Sequence, residues 1–230
     1  MGDNTVGTVV RVLVFGLVSG GLMLWGWGVD DVAGFLSHPA RAVFFLVTVV
    51  VNSVTMLVVS AKGIELMNKG EREDSREALT GFVIPTVVNF LLLCVGPYSD
   101  SHDLLVLGGG DALRYAGLAL FLVGYVLMIW GPFHLGKQYS WYVTIQKDHE
   151  LVTDGPYRFM RHPRYSGIIW WILGMALVFH SIPALALAIV MCLCMLSRIP
   201  KEERMLRDVF PDGWEDYCRR TPHKIAPYVY

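Results

Sequence analysis

The chain has 230 residues, of which 54% are hydrophobic and 17% charged, with a net charge of −1 and a mean hydropathy of +0.47. Soluble domains of this size carry more charge and fewer apolar residues, so an ordinary water-soluble fold is excluded. The near-neutral charge offers no basic face, which excludes a nucleic-acid partner.

Apolar runs of nearly bilayer-crossing length recur along the chain. They predict an all-α, polytopic helical membrane protein with about six transmembrane segments. The first segment runs from about residue 9 to 28. It follows an acidic MGDNT start and no A-x-A site comes after it, so a cleavable signal is not expected. The second runs from 43 to 61, and the third from 81 to 96 with Pro85 near its start. The fourth runs from 112 to 132. Segments five (164–179) and six (183–199) are shorter and form a hairpin turning at Ser181-Ile182-Pro183.

The loops are charge-biased. The stretch 29–39 carries Asp30 and Asp31 but no Lys or Arg, and 98–111 carries three Asp and no Lys or Arg. The stretches 62–80 and 134–164 and the tail after 199 carry most of the basic residues. With six segments these three fall on one side, which the positive-inside rule makes cytoplasmic, both termini included. The mixed charges of 62–80 read as a solvated surface helix. Tyr139, Trp141, Val143 and Ile145 alternate with polar residues and read as a strip lying at the membrane interface. The organisation expected is a membrane scaffold over 1–133 and a catalytic region over 134–230.

Cys94, Cys192 and Cys194 lie in apolar segments and Cys218 in the tail, which reads as small buried hydrophobes rather than disulfides. The seven histidines show no HxxxH or HExxH spacing, so no metal site is expected.

Chemistry-bearing residues concentrate in two stretches. HELVTDGPYRFMRHPRY runs from His149 to Tyr165 and RIPKEER from Arg198 to Arg204. Folding the hairpin between them back on itself brings both to one membrane face. Gly155-Pro156 makes a turn, and Pro163 suits the first turn of segment five. His162 then stands at a helix start, where free N–H groups favour an anion. Arg158 and Arg164 read equally as anchors on lipid phosphates. A helix places Arg198 and Glu202 on one face, and likewise Glu203 and Arg207, the latter reading as a surface pair. An Arg and a Glu at the mouth of a membrane hairpin mark a functional site.

This ordered set resembles the isoprenylcysteine carboxyl methyltransferase family. The likeness lies in H-E-L-V, G-P-Y, R-H-P-R-Y, the Arg198–Glu202–Glu203 pattern and the F-P-D-G-W-E-D-Y tail. Upstream, L-G-K-Q-Y-S at 135–140 looks like the family's L-G-x-x-W-S. The likeness covers about the last hundred residues. It implies S-adenosylmethionine as cofactor, in a cytoplasmic pocket closed by the tail. His149, Glu150, Leu151, Val152, Tyr157, His162, Pro163 and Tyr165 would line that pocket, and Glu202 would hold the cofactor. Arg198 would face the acceptor, and Arg161 is its expected catalytic companion. The implied partner is a lipophilic or lipidated substrate entering from the membrane.

Methyl transfer from a sulfonium to a carboxylate cancels two charges, so a dry site favours it without a general base. A phospholipid amine or small thiol is the alternative acceptor. A non-catalytic transport or structural subunit is the reading of another class. Against it, only Asn52, Ser53, Thr55 and Asn89 stand out as polar mid-membrane residues, with no carboxylate among them.

Overall fold

The computed structural model describes residues 16–61, 83–136 and 150–226, with side chains of 55–61 excepted. The start of segment one, the 62–80 stretch, the aromatic strip at 139–145 and His149 therefore lie outside the described residues.

Every regular element among the described residues is helical. Helix α1 covers 16–27 and stops at Gly28, whose φ of +124° suits glycine alone. Helix α2 (Val32–Ser37) is capped by Asp31, whose carboxylate accepts from the Gly34 amide at 3.0 Å. Helix α3 spans Pro39–Ala61 with its proline in the first turn, and α4 spans Ile84–Ser101. Helix α5 spans Gly110–Leu135, α6 Pro163–Val178, α7 Ile182–Val209 and α8 Pro211–Arg220.

Two boundaries depart from the sequence reading. Helix α4 runs through Pro97 to Ser101 instead of stopping at Gly96. Helix α7 runs through Pro200 to Val209, ten residues past the expected end. The hairpin is thus unequal: α6 rises about 24 Å and α7 about 42 Å. At its turn His180 takes φ +49° and its carbonyl accepts from the Leu107 amide at 2.6 Å. Ser181 Oγ then caps α7 through the Ala184 amide at 3.0 Å.

Among the described residues, α5 and α7 are long and apolar enough to cross a bilayer. Leu46, Val50, Val123, Val126, Ile189, Val190 and Leu193 expose large apolar side chains. Lipid accommodates such a surface and water does not.

The chain forms two compact units. The first holds 1–64, 87–122 and 172–189, and the second holds 65–86, 123–171 and 190–230. In the first, Phe44 meets Phe121 at 4.5 Å and Phe179 at 5.3 Å between ring centroids, and all three are fully buried. A buried ion cluster stands beside them. Asp100 accepts from Arg41 at 3.2 Å and from Arg114 at 2.6 Å. Arg41 also donates to the Phe35 carbonyl, and Arg114 to that of Val178.

Within each unit α5 and α6 meet backbone to backbone. In the second unit a Cβ on Gly124 would stand 2.7 Å from the Gly167 carbonyl, and one on Gly167 would stand 2.7 Å from that of Gly124. In the first unit Gly117 and Gly174 do the same, at 2.8 and 2.6 Å. Small residues let membrane helices approach this closely, and here they fix the hairpin's first arm.

Candidate functional site

Every residue of the candidate site lies in the second unit. Gly155–Arg158 forms a single 3-10 turn entered through Gly155 at φ +54°. A Cβ on Gly155 would strike the His134 ring, so glycine serves both conformation and close approach here. His134 Nε2 lies 2.8 Å from the Asp154 carboxylate, and that bond holds the Asp154 carboxyl below its usual range.

Pro163 takes the first position of α6 and seats His162 just before the helix. His162 is buried, and its ring stacks on that of Tyr165 at 5.6 Å and 21°. The Tyr165 hydroxyl accepts from Arg198 Nε at 3.3 Å. Arg198 closes the apolar run of α7 and is only 2% exposed. Because α7 continues unbroken past Pro200, Glu202 lies one turn from Arg198 on the same face. Glu202 Oε2 stands 3.9 Å from His162 Nδ1. His162, Tyr165, Arg198 and Glu202 thus form one contiguous group.

Glu203 joins it, which sequence reasoning missed. Its carboxylate accepts from Arg161 Nε at 2.9 Å and lies 3.2 Å from His162 Nε2 and 3.3 Å from Lys224 Nζ. Burial pushes this carboxyl up, but the hydrogen bonds and charges of His162 and Arg161 override it and bring it down to about 2. Arg207, expected to pair with Glu203, instead meets Glu215 at 2.9 Å on the surface. The adjacent acidic pair in RIPKEER was the available signal.

Arg161 also donates to the Thr221 and Pro222 carbonyls at 2.7 and 2.9 Å. Tyr157 is half-buried and its carbonyl accepts from Tyr217 of α8 at 2.9 Å. Leu151 lies against α8, its Cδ2 3.4 Å from where a Cβ on Gly213 would stand. Val152 is half-buried, Pro163 buried and Glu150 exposed. The indole N–H of Trp214, a residue 1% exposed, has no acceptor among the described residues. Arg158 is exposed, and Arg164 is half-buried in the first turn of α6.

The group thus offers a buried guanidinium for an anion and a half-exposed carboxylate for a cation, one helical turn apart. Opposite charges held that close suit a reaction in which a cationic donor meets an anionic acceptor.

Comparison with known proteins locates the same region. Residues 117–208 match the family model described as the isoprenylcysteine carboxyl methyltransferase (ICMT) family. The chain is 33% identical over 116 residues to protein-S-isoprenylcysteine O-methyltransferase B of Arabidopsis thaliana, covering 49% of this chain and 58% of that one. It is 32% identical over 113 residues to protein-S-isoprenylcysteine O-methyltransferase of Schizosaccharomyces pombe, covering 48% of each. It is also 38% identical over 82 residues to the cobalt-zinc-cadmium resistance protein CzcN of Cupriavidus metallidurans, covering 35% of this chain and 38% of that one. A solved eukaryotic isoprenylcysteine carboxyl methyltransferase aligns over 99% of this chain and 97% of its own at 19% identity and a TM-score of 0.49. The chain covers 58% and 62% of the length of two plant relatives that it matches.

Proposed function

Because the stretch 117–208 matches the model of the isoprenylcysteine carboxyl methyltransferase family, we propose that the protein is an integral-membrane methyltransferase. It moves a methyl group from S-adenosylmethionine to a lipophilic acceptor, the carboxylate of an isoprenylcysteine-like substrate. The observation that carries this reading is the pairing of Arg198 and Glu202 on one face of α7, both set against His162 and Tyr165.

The donor set fits the cofactor. The Glu202 side chain is 31% exposed, so its carboxylate is open to a sulfonium or ammonium. Leu151, Val152, Tyr157, Pro163 and Tyr165 supply an apolar lining, and the Trp214 N–H is a buried donor in search of an acceptor. His149 and Glu150 continue that lining in this reading. When bound, S-adenosylmethionine supplies an electrophilic methyl on a sulfonium.

Arg198 holds the acceptor carboxylate in a two-pronged grip and orients it for in-line attack. The Tyr165 hydroxyl fixes the guanidinium. Buried Met195 and Ile199 keep water from the approach to Arg198. Charge is lost as the ester forms, so a dry site favours the transition state and no proton need be moved. Arg161 serves the site through Glu203 and the tail rather than by touching the acceptor. The scaffold is 1–133, the working region 134–230, with about six spans and the basic side, both termini and the pocket cytoplasmic, as the loop charges support.

A phospholipid amine or small thiol is the second reading. It is favoured by the family match beginning only at residue 117, which leaves the first three apolar segments outside it. The test is calorimetry of S-adenosylmethionine binding to protein in detergent, followed by methyl-transfer assays on a prenylcysteine carboxylate, an aminophospholipid and a small thiol. Methylation of the carboxylate supports the first reading, and methylation of either other acceptor replaces it. Absence of cofactor binding overturns both. Labelling of a cysteine placed at position 70 from outside the cell would overturn the topology.

A further inference from the structure

The proposed chemistry uses Glu202 and leaves its neighbour Glu203 without a part, although Glu203 is the more enclosed, with its side chain 13% exposed against 31%. We infer that Glu203 is a positioning residue. It locks the C-terminal strip 221–226 onto Arg161 and His162 and turns Nδ1 of His162 toward the cofactor's cationic end beside Glu202. The cofactor half of this inference rests on the functional reading above.

The strip is held by donors from two residues. The amides of Arg161 and His162 donate to the carbonyls of His223 and Lys224, both at 2.9 Å. The Arg161 side chain donates to the carbonyls of Thr221 and Pro222. The Arg161 guanidinium reaches those carbonyls while its Nε rests on Glu203. Lys224, carried by the strip, returns to Glu203 at 3.3 Å. Glu203 therefore joins the R-H-P segment and the strip at once. Without its charge, Arg161, His162 and Lys224 would lose the one carboxylate that all three face.

The same carboxylate sets the tautomer of His162. A carboxylate accepts, so Nε2 carries the proton that faces Glu203. Nε2 faces Glu203 in the protonated and the neutral ring alike, and a cationic ligand at Nδ1 selects the neutral ring, in which Nδ1 is an acceptor. It faces Glu202 Oε2 at 3.9 Å, too far for a hydrogen bond. Two acceptors at that separation suit a cationic donor placed against both, and the α-ammonium of S-adenosylmethionine has that chemistry. A brace that only stabilised the fold would not need to orient the imidazole.

The test is amide hydrogen exchange and S-adenosylmethionine calorimetry on the full chain in detergent, comparing parent, Glu203→Gln and Lys224→Ala. Glu203→Gln should raise exchange across 221–226 at least about tenfold and weaken cofactor binding about tenfold, with turnover at saturating cofactor falling far less. Lys224→Ala should move both readouts in the same direction by about threefold, and Lys224→Arg should restore them. It removes one arm only and keeps the inference testable if Glu203→Gln does not fold. Unchanged protection of the strip overturns the lock. A released strip with undiminished cofactor affinity overturns the coupling. A parent that binds no cofactor overturns the functional reading instead, and the exchange of the strip, read without cofactor, still decides the lock.

Discussion

The Nε of Arg198 lies 3.3 Å from the hydroxyl of Tyr165, which joins the two arms of the hairpin at the level where the apolar run of α7 ends. A guanidinium only 2% exposed is aimed by that bond rather than by solvent. If Arg198 grips the acceptor, Arg198→Ala should leave S-adenosylmethionine affinity nearly intact. Turnover should fall on the order of a hundredfold, the effect of losing about 2–4 kcal/mol of charge-assisted contact. Arg198→Lys should recover little, since a point charge cannot replace a two-pronged grip. Parental turnover by Arg198→Ala would place the acceptor elsewhere.

Glu202 should behave in the opposite way. Glu202→Gln keeps the shape and removes the negative charge. Cofactor affinity should then fall about tenfold or more, while turnover at saturating cofactor changes less. A mere surface pair would cost about 1 kcal/mol of stability or less and leave binding alone. One cofactor titration on the purified variant separates the two.

The close approach of α5 and α6 gives a prediction with a defined sign. Alanine outscores glycine in a helix by about 1 kcal/mol, so Gly124→Ala would stabilise a helix in isolation. Here the new methyl meets the Gly167 carbonyl and the Trp171 backbone, neither of which can swing away. The clash should win, with a net loss of about 1–3 kcal/mol. Gly21 has nothing within 4 Å of a Cβ, so Gly21→Ala should be neutral or slightly stabilising. Thermal unfolding in detergent measures both, and equal behaviour of the two variants would contradict the packing argument.

Much of this arrangement was legible in the residues. The apolar runs locate α3 to α7 to within a few residues at most ends, because each run must bury its backbone polar groups in its own helix. Pro163 marked the start of α6. Elements that depend on distant pairing were not legible. Gly96-Pro97 reads as a helix end, yet Asp100 is held by Arg41, 59 residues away, and by Arg114, and α4 continues to Ser101. Pro200 likewise reads as a boundary, yet α7 passes through it. The i,i+4 rule pairs Glu203 with Arg207, whereas burial turns Glu203 toward Arg161, 42 residues earlier. Local spacing ranks neighbours along a helix and does not reveal which face a fold will enclose.

The Asp100 cluster should be costly to disturb. One carboxylate, its side chain 5% exposed, serves two guanidiniums that are 10% and 12% exposed. Asp100→Asn leaves two buried cations without a counter-ion and turns an amide donor toward one of them. Breaking such a pair costs about 3–5 kcal/mol. Differential scanning calorimetry in detergent should show a clear drop in unfolding temperature. A drop matching that of a surface substitution would mean that the cluster is solvated.

Acid should loosen the tail before it unfolds the rest. Burial raises the Glu203 carboxyl, but the bonds and charges of His162 and Arg161 prevail, so its folded value is about 2 against an ordinary 4.5. A carboxyl depressed on folding stabilises the native state above its unfolded pKa. That contribution is lost as pH falls from about 4.5 toward 2, because the unfolded chain takes up the proton first. The shift corresponds to about 3 kcal/mol at neutral pH as an upper figure. Parent and Glu203→Gln should therefore differ most in stability near neutral pH and converge towards about pH 2. Amide exchange at 221–226 should accelerate in the parent over the same interval, since the carbonyls of that strip depend on Arg161. A stability gap that stayed constant down to about pH 2 would show that the Glu203 charge does not carry the lock.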